Sequence, residues 1–381
     1  MKLLHTSDWH LGMTFRGINI QEDQKYFLQQ IYQIIEEEKV DAVLLAGDVF
    51  DRSIASSDAM KLYDEAMTKI CMEMEVPVFM VAGNHDGAER LASCSQLLKK
   101  SGLHILGALK KELEPVELED AQIFLLPWFT LEKVRAMFPE SAENIHTLEE
   151  GYQFVCDKMK QSFVVGKKHI LVAHTFIIHA ETSVSDRAAE VGRAAAIGTK
   201  PFAGFDYVAL GHLHGAQDIG DYIRYSGTPM PYSFGKEEKQ IKCVTIIDTE
   251  TMERKVIPLE PLHTRITISG PYERILSAKN LTERERKGYV RVELEDVHVG
   301  IEVIASLREI YPNLLEVSGK SFEQENAKIT MTIDELEKQE QDPLQILKRY
   351  FQDVMNVQPD EHLVELFGKA VSDYEKEVQE A

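Results

Sequence analysis

The chain is poor in cysteine, has no long apolar run and carries far fewer basic than acidic residues, and each shortage removes a class of protein. Its four cysteines, Cys71, Cys94, Cys156 and Cys243, show no C-x-x-C spacing. That excludes a zinc knuckle and a disulfide framework, and leaves buried or bystander thiols in a reducing, cytoplasmic setting. No apolar stretch approaches the roughly 18 residues of a membrane helix. Met1-Lys2-Leu3-Leu4-His5 runs directly into a strand and a polar motif, so neither export nor membrane insertion is expected. The formal charge of -21 is awkward for a protein that meets DNA, because phosphate contacts need local Lys and Arg. Part of the excess lies in the tail, where Asp334 to Ala381 hold thirteen Asp plus Glu against five Lys plus Arg. Bound divalent cations would offset more of it. An acidic enzyme acting on a small phosphoester therefore stands beside any nucleic-acid role.

What is present is an α/β pattern long enough for two or three domains. A strand at residues 2 to 6, a helix from about Gln21 to Lys39, a strand at Val43 to Ala46, a helix from about Ser57 to Met74 and a strand at Pro77 to Ala82 give βαβαβ order. Such order implies parallel pairing with right-handed crossovers. Shorter strands around His104 to Gly107 and Ile123 to Leu126 follow, as expected where a second sheet packs on the first, and then a helix at Leu148 to Gln161. Strands at His169 to Ala173, Asp206 to Leu210, Ile223 to Ser226 and Cys243 to Ile247 come next, and the first core is expected to be complete by about Pro258. Pro127-Trp128-Phe129 reads as core rather than as a base-stacking platform. Ala180 to Gly204, with Arg187, Arg193 and Lys200, reads either as a substrate-facing loop or as disordered chain.

Residues 1–260 make the first domain. From 264 to 335 strands at Arg265 to Ile268, Tyr289 to Leu294 and Leu314 to Val317, with a helix at Gly300 to Ile310, make a small α+β domain. Residues 343–381 form a helical hairpin. Its apolar stripes, Leu344, Leu347, Tyr350, Phe351 and Val354, then Leu363, Leu366, Phe367, Ala370, Val371 and Tyr374, pack either on the second domain or on a partner's helices.

Chemistry-bearing residues gather at strand ends, where open α/β sheets place their sites. Leu44-Leu45-Ala46-Gly47-Asp48 is a buried strand that turns sharply at Gly47 into a carboxylate. The same grammar delivers Asp8 and His10, then Asn84 and His85, then His174, then His212 and His214. Each alone is explained by a cap, a turn or a core histidine. Five such sites in one chain are better explained by a metal centre. Carboxylate, imidazole and amide donors suit manganese, with magnesium acceptable, better than a thiolate-seeking ion. Eight residues exceed one ion's needs. With the Asp48 carboxylate bridging, they fit two ions about 3.5–4 Å apart, the spacing of two-metal phosphoester hydrolysis. Asn84 reads as the ligand beside His85, which leaves His85 as a general acid, with Asp51 to orient its ring.

Asp8-x-His10, Gly47-Asp48-x-x-Asp51, Gly83-Asn84-His85-Asp86, the lone His174 and Gly211-His212-x-His214 together resemble the calcineurin-like metallophosphoesterases. Thr6-Ser7-Asp8-Trp9-His10-Leu11-Gly12, the smaller second domain and the helical tail resemble, more narrowly, the SbcD branch of bacterial nuclease subunits. The resemblance implies a four-layer α-β-β-α sandwich with an α+β cap domain. It puts one metal on Asp8, His10, Asp48 and His214, and the other on Asp48, Asn84, His174 and His212. It further implies ATP-dependent exonuclease action on double-stranded DNA ends and endonuclease action on single strands and hairpins, in recombination and repair. The partners implied are DNA and an SMC-like ATPase of the SbcC type, which binds the tail, in a heterotetramer built on a homodimer. Where archaeal and eukaryotic relatives often carry His, this chain has Asp51, so no second DNA-handling histidine is carried over. A phosphatase or cyclic-nucleotide phosphodiesterase on the same core, and a non-catalytic scaffold, are the competing readings.

Overall fold

A computed structural model describes residues 1–178, 180–183, 196–320, 328–332, 364 and 366–369. By internal contacts the chain divides into two units, Met1–Arg265 and Ile266–Ala381.

The first unit is built on two six-stranded sheets. In one, Lys2–Thr6, Ala42–Ala46, Val78–Val81 and Leu103–Leu106 run parallel in that order. Cys243–Asp248 joins antiparallel beside Lys2–Thr6 and Arg254–Pro258 beyond it. In the other, Ile223–Tyr225, Tyr207–Gly211, Lys168–His174 and Ala121–Leu126 are parallel, with short antiparallel strands at both edges. Leu3, Leu44, Ala46, Phe79 and Val81 of the first sheet meet Ile123, Ile170, Val172, Tyr207 and Ala209 of the second in one core. The alternate residues of the second sheet, among them Phe124, Leu171, Ala173, Val208 and Leu210, face outward onto Tyr152, Val155, Cys156 and Met159 of the helix Leu148–Lys160. Strands buried on both faces must be apolar throughout, which is why the central strands read as continuous hydrophobic runs. At about 1.5–3 kcal/mol for each large side chain buried, these layers hold the strand ends in fixed register.

On the first sheet's outer side the helix Gln21–Glu38 buries Phe27, Leu28, Ile31, Ile34 and Ile35, the stripe its 3–4 spacing predicts. It stops at Lys39, which turns left-handed (φ 55°) while its N–H returns to the last helical carbonyls. The expected helix to Met74 is α-helical only over Ser57–Met67; Thr68–Glu73 widen into a π turn, with Met74 N–H donating to Lys69 O at 3.0 Å. Two of the four cysteine thiols, Cys71 and Cys156, lie on these outer helical segments; all four are free, and Cys94 alone is exposed.

Part of the expected loop at 180–204 is packed instead. Ala196–Ile197 pairs with Phe176–Ile177, and Ile197 and Phe202 are buried among the residues of the Leu148–Lys160 helix and its sheet. Two apolar residues separated by polar ones gave no periodic signal there. Arg187 and Arg193 lie outside the described residues. Phe129 is core, stacked on Tyr152 with ring centroids 4.3 Å apart.

The second unit is α+β. Its sheet runs Arg265–Gly270, Tyr289–Leu294, Leu314–Lys320, Lys328–Thr332, and the middle two strands are parallel, with the helix Ile301–Ile310 between them in sequence. Val290, Val292, Leu294, Ile304, Leu307, Tyr311, Leu314 and Val317 form its core. Of the expected tail hairpin, 364 and 366–369 are helical and the remainder lies outside the described residues.

Candidate metal centre

Every candidate residue sits just beyond, or at, the carboxyl end of a parallel strand. Asp8 and His10 follow Lys2–Thr6, Asp48 follows Ala42–Ala46, Asn84 and His85 follow Val78–Val81, His174 ends Lys168–His174, and His212 and His214 follow Tyr207–Gly211. The chain reaches this point through sparsely populated backbone conformations. Asp8 (φ 53°), His10 (φ 43°), Asp48 (φ 49°) and His212 (φ 104°) all have positive φ. Such conformations cost about 1–3 kcal/mol each and persist where the surroundings over-determine them, typically at functional sites. Gly47 (φ 85°) and Gly211 are needed for close approach, since a Cβ at the first would overlap the His174 ring and at the second the Ala46 carbonyl.

The side chains converge. His174 Nε2 lies 3.3 Å from Asp48 Oδ2 and 3.0 Å from Asn84 Oδ1, and His212 Nδ1 lies 2.9 Å from the same Asn84 oxygen. His10 Nε2 is 3.2 Å from His214 Nε2 and 4.0 Å from Asp48 Oδ2. One potential ligand atom from each of Asp8, His10 and His214 falls within 4.8 Å of the others, and so do those of Asp8, Asp48 and His174. All seven residues expected to hold metal are therefore brought together. His174 Nδ1 faces the Ala46 carbonyl at 2.8 Å; a carbonyl only accepts, so Nδ1 carries the proton and Nε2 is the inward atom.

His85 stands at the edge of the cluster, its ring 4.9 Å from that of His10. Its main-chain N–H donates to Asp48 Oδ1 at 2.9 Å, and its Nδ1 faces Asp51. The contact from Asp51 is made by the main-chain carbonyl, at 2.9 Å, while the Asp51 carboxylate pairs with exposed Arg52 at 3.2 Å. A cavity of about 340 Å³ opens here, lined by His10, His85, His214, Phe15, Arg16 and Tyr232.

Burial and charge pull these groups apart. Burial pushes the Asp8 carboxyl up to about 6, against the attraction of His174. Burial would raise Asp48 too, but the charge and hydrogen bond of His174 outweigh it, helped by His10 and His85, and hold that carboxyl far below the usual range. His174 is its counterpart: burial disfavours the charged ring, yet Asp48 raises it to about 9. His212 is pushed down to about 3 by burial and by the charge of His174. Carboxylate, imidazole and amide groups converging at 3–4 Å form a set that a divalent cation can occupy in place of the inward ring proton of His174. His10 Nδ1 is also buried without a hydrogen-bond partner among the described residues. The donor set of carboxylate, imidazole and amide oxygen fits divalent cations.

Several groups that shape the site are not among the candidates named from the sequence. Asp86 accepts from the N–H groups of Val49, Phe50 and Gly83 at 3.2, 2.9 and 2.9 Å, tying two strand-end loops together. The fourth letter of Gly83-Asn84-His85-Asp86 is the only signal that could have marked it. Gln24 donates to His10 O at 2.8 Å and accepts from Gly12 N–H at 3.1 Å, and the Tyr232 hydroxyl donates to Trp9 O, so both hold the strained Asp8–Gly12 segment.

Known proteins resemble this chain over most of its length. The family described as calcineurin-like phosphoesterase matches residues 1–216, and the type 5 capsule protein repressor C-terminal domain matches residues 261–355. The chain is 32% identical over 366 residues to a Staphylococcus epidermidis protein named as the D subunit of the nuclease SbcCD, covering 95% of each. Among solved structures, a Thermus thermophilus protein has TM-score 0.39 at 11% identity, over 68% of this chain and 99% of its own. A dimetal phosphatase from Danio rerio has TM-score 0.37 at 12% identity, over 68% and 99%. Values that low constrain neither activity nor substrate.

Proposed function

Because the chain belongs to the calcineurin-like phosphoesterase family, and over 95% of its length to the family of the SbcCD nuclease's D subunit, we propose that it is a two-ion DNA nuclease. Metal-assisted phosphodiester hydrolysis is the activity of its family; DNA as substrate, two ions and the partner are our reading. The observation that carries it is the convergence of Asp8, His10, Asp48, Asn84, His174, His212 and His214 from five separate segments onto one point.

In this reading Asp8, His10, Asp48 and His214 hold one cation, and Asp48, Asn84, His174 and His212 hold the other. When bound there, two divalent ions, manganese first and magnesium second, would supply Lewis acidity for the phosphoryl group and for water. The chain's own residues do the rest. Asp48 stays ionised between the two sites, and the Ala46 carbonyl fixes the His174 tautomer. His85, anchored through Nδ1 on the Asp51 carbonyl, is left with Nε2 to protonate the leaving oxygen. Asp51 thus positions the acid through its main chain.

Kinship with an SbcCD nuclease component supports an assembly with an SbcC-type SMC-like ATPase through residues 343–381, as a heterotetramer built on a homodimer in the cytoplasm. ATP-dependent exonuclease action on duplex ends and endonuclease action on single strands and hairpins belong to that assembly. The test is co-purification with the ATPase, followed by assays on linear duplex DNA with manganese, with and without ATP, beside a generic phosphodiester. Cleavage of the duplex that ATP stimulates is expected. Hydrolysis of the small ester alone contradicts the nuclease reading and favours a phosphodiesterase of small substrates such as cyclic nucleotides.

A further inference from the structure

Glu237 is fully buried and sits behind His214, on the side away from the cluster. We infer that Glu237, clamped by Lys242, is the positioning residue for the cation that Asp8, His10, Asp48 and His214 would hold, an inference that rests on the two-ion reading. The His214 ring presents Nε2 to His10 Nε2 at 3.2 Å and Nδ1 to Glu237 Oε1 at 3.7 Å. The second distance is an ion-pair rather than a hydrogen-bond length, so the carboxylate acts through its charge. A negative oxygen on that side keeps the proton on Nδ1 and the lone pair on Nε2. For His174 the Ala46 carbonyl does the same at 2.8 Å.

Glu237 is itself immobilised. Its Oε2 accepts from Tyr232 N–H and from the Lys242 ammonium, both at 2.9 Å, and its Oε1 accepts from the Ser233 hydroxyl at 2.6 Å. The same ammonium donates to the His214 carbonyl at 2.8 Å and to Thr228 Oγ1 at 2.8 Å. One buried ion pair therefore grips His214 twice, the ring through Glu237 and the main chain through Lys242. Buried pairs seldom stabilise a fold more than apolar residues of the same volume, so this one calls for a role besides stability. Holding one imidazole in one tautomer supplies it. The Asn84, His174 and His212 side is braced differently, by Ala46 and by Asp8, whose carboxylate accepts from His212 N–H at 3.0 Å.

The test is a Mn(II) titration of the metal-free full-length protein, with free ion followed by electron paramagnetic resonance, on wild type, Glu237→Gln and Glu237→Gln/Lys242→Met. The double variant removes the unpaired ammonium, and carries the comparison if the single variant does not fold. Two ions are expected in wild type. In the variants one ion should keep its affinity while the other weakens about 10–100-fold, as when the group orienting a ligand is lost. Thermal unfolding of the double variant should recover toward wild type while the weak ion stays weak. Two unchanged affinities, or equal weakening of both, overturn the assignment. Fewer than two ions in wild type instead refutes the two-ion reading itself, and the inference with it.

Discussion

Asp48 and His85 are joined by a 2.9 Å hydrogen bond from the His85 main chain, yet truncating their side chains should have different consequences. Asp48→Ala removes the carboxylate shared by both proposed ions, so metal uptake and hydrolysis should disappear together. His85→Ala leaves the seven proposed ligands in place, so two ions should remain while turnover falls about 10²–10⁴-fold, the usual worth of a general acid. Inductively coupled plasma analysis beside a rate assay separates the two; a His85→Ala protein with wild-type turnover removes the acid assignment. A second histidine, His5, is legible only in the structure. It is buried between the Tyr207 hydroxyl (2.9 Å) and the Leu210 carbonyl (3.1 Å), and burial, then Arg224, push it down to about 3. The unfolded chain takes up that proton near pH 6.5 and the folded chain only near 3, so stability falls as pH drops between those values. The His5 contribution to this loss from pH 7 to pH 5 is about 2 kcal/mol. Denaturant titrations of metal-free wild type and His5→Gln at both pH values should differ by that amount, and parallel losses would contradict it.

The strand ends were readable because each follows one rule, an apolar run closed by a polar residue and often a glycine. That rule located Asp8, Asp48, Asn84, His174 and His212 within elements whose bounds fall within a few residues of expectation. It could not show that Asp8, His10 and Asp48 adopt positive φ, because nothing about a non-glycine residue announces strain. Nor could it show the π turn at Thr68–Glu73, the two-residue strand Ala196–Ile197, or the reach of Glu237 back to His214, since these depend on contacts made only after folding. The loops themselves are held by Asp86, whose carboxylate takes three main-chain N–H bonds across two of them. Asp86→Ala strands three buried donors at about 1 kcal/mol or more each, so a loss of about 3 kcal/mol is expected by chemical denaturation. Weaker binding at Asn84 should accompany it. A loss under about 1 kcal/mol would show that the loops are held by something else.

Across the whole chain, a net charge of -21 opposes the approach of a polyanion, and buried Asp8 and Asp48 add to the opposition at the very point where a phosphate would react. The two divalent cations proposed there would reverse the local sign and let an acidic protein act on phosphodiesters. Among the described residues no helix is long and apolar enough to cross a membrane. The fold and the family both followed from sequence order, whereas most of residues 343–381 lie outside the described residues. Everything rests on two cations sharing Asp48, and crystals soaked in Mn(II) test it directly by anomalous diffraction at the manganese edge. The account predicts two peaks per chain flanking the Asp48 carboxylate, one beside His10 and His214 and one beside Asn84, His174 and His212. A single peak, or a pair remote from Asp48, would contradict it.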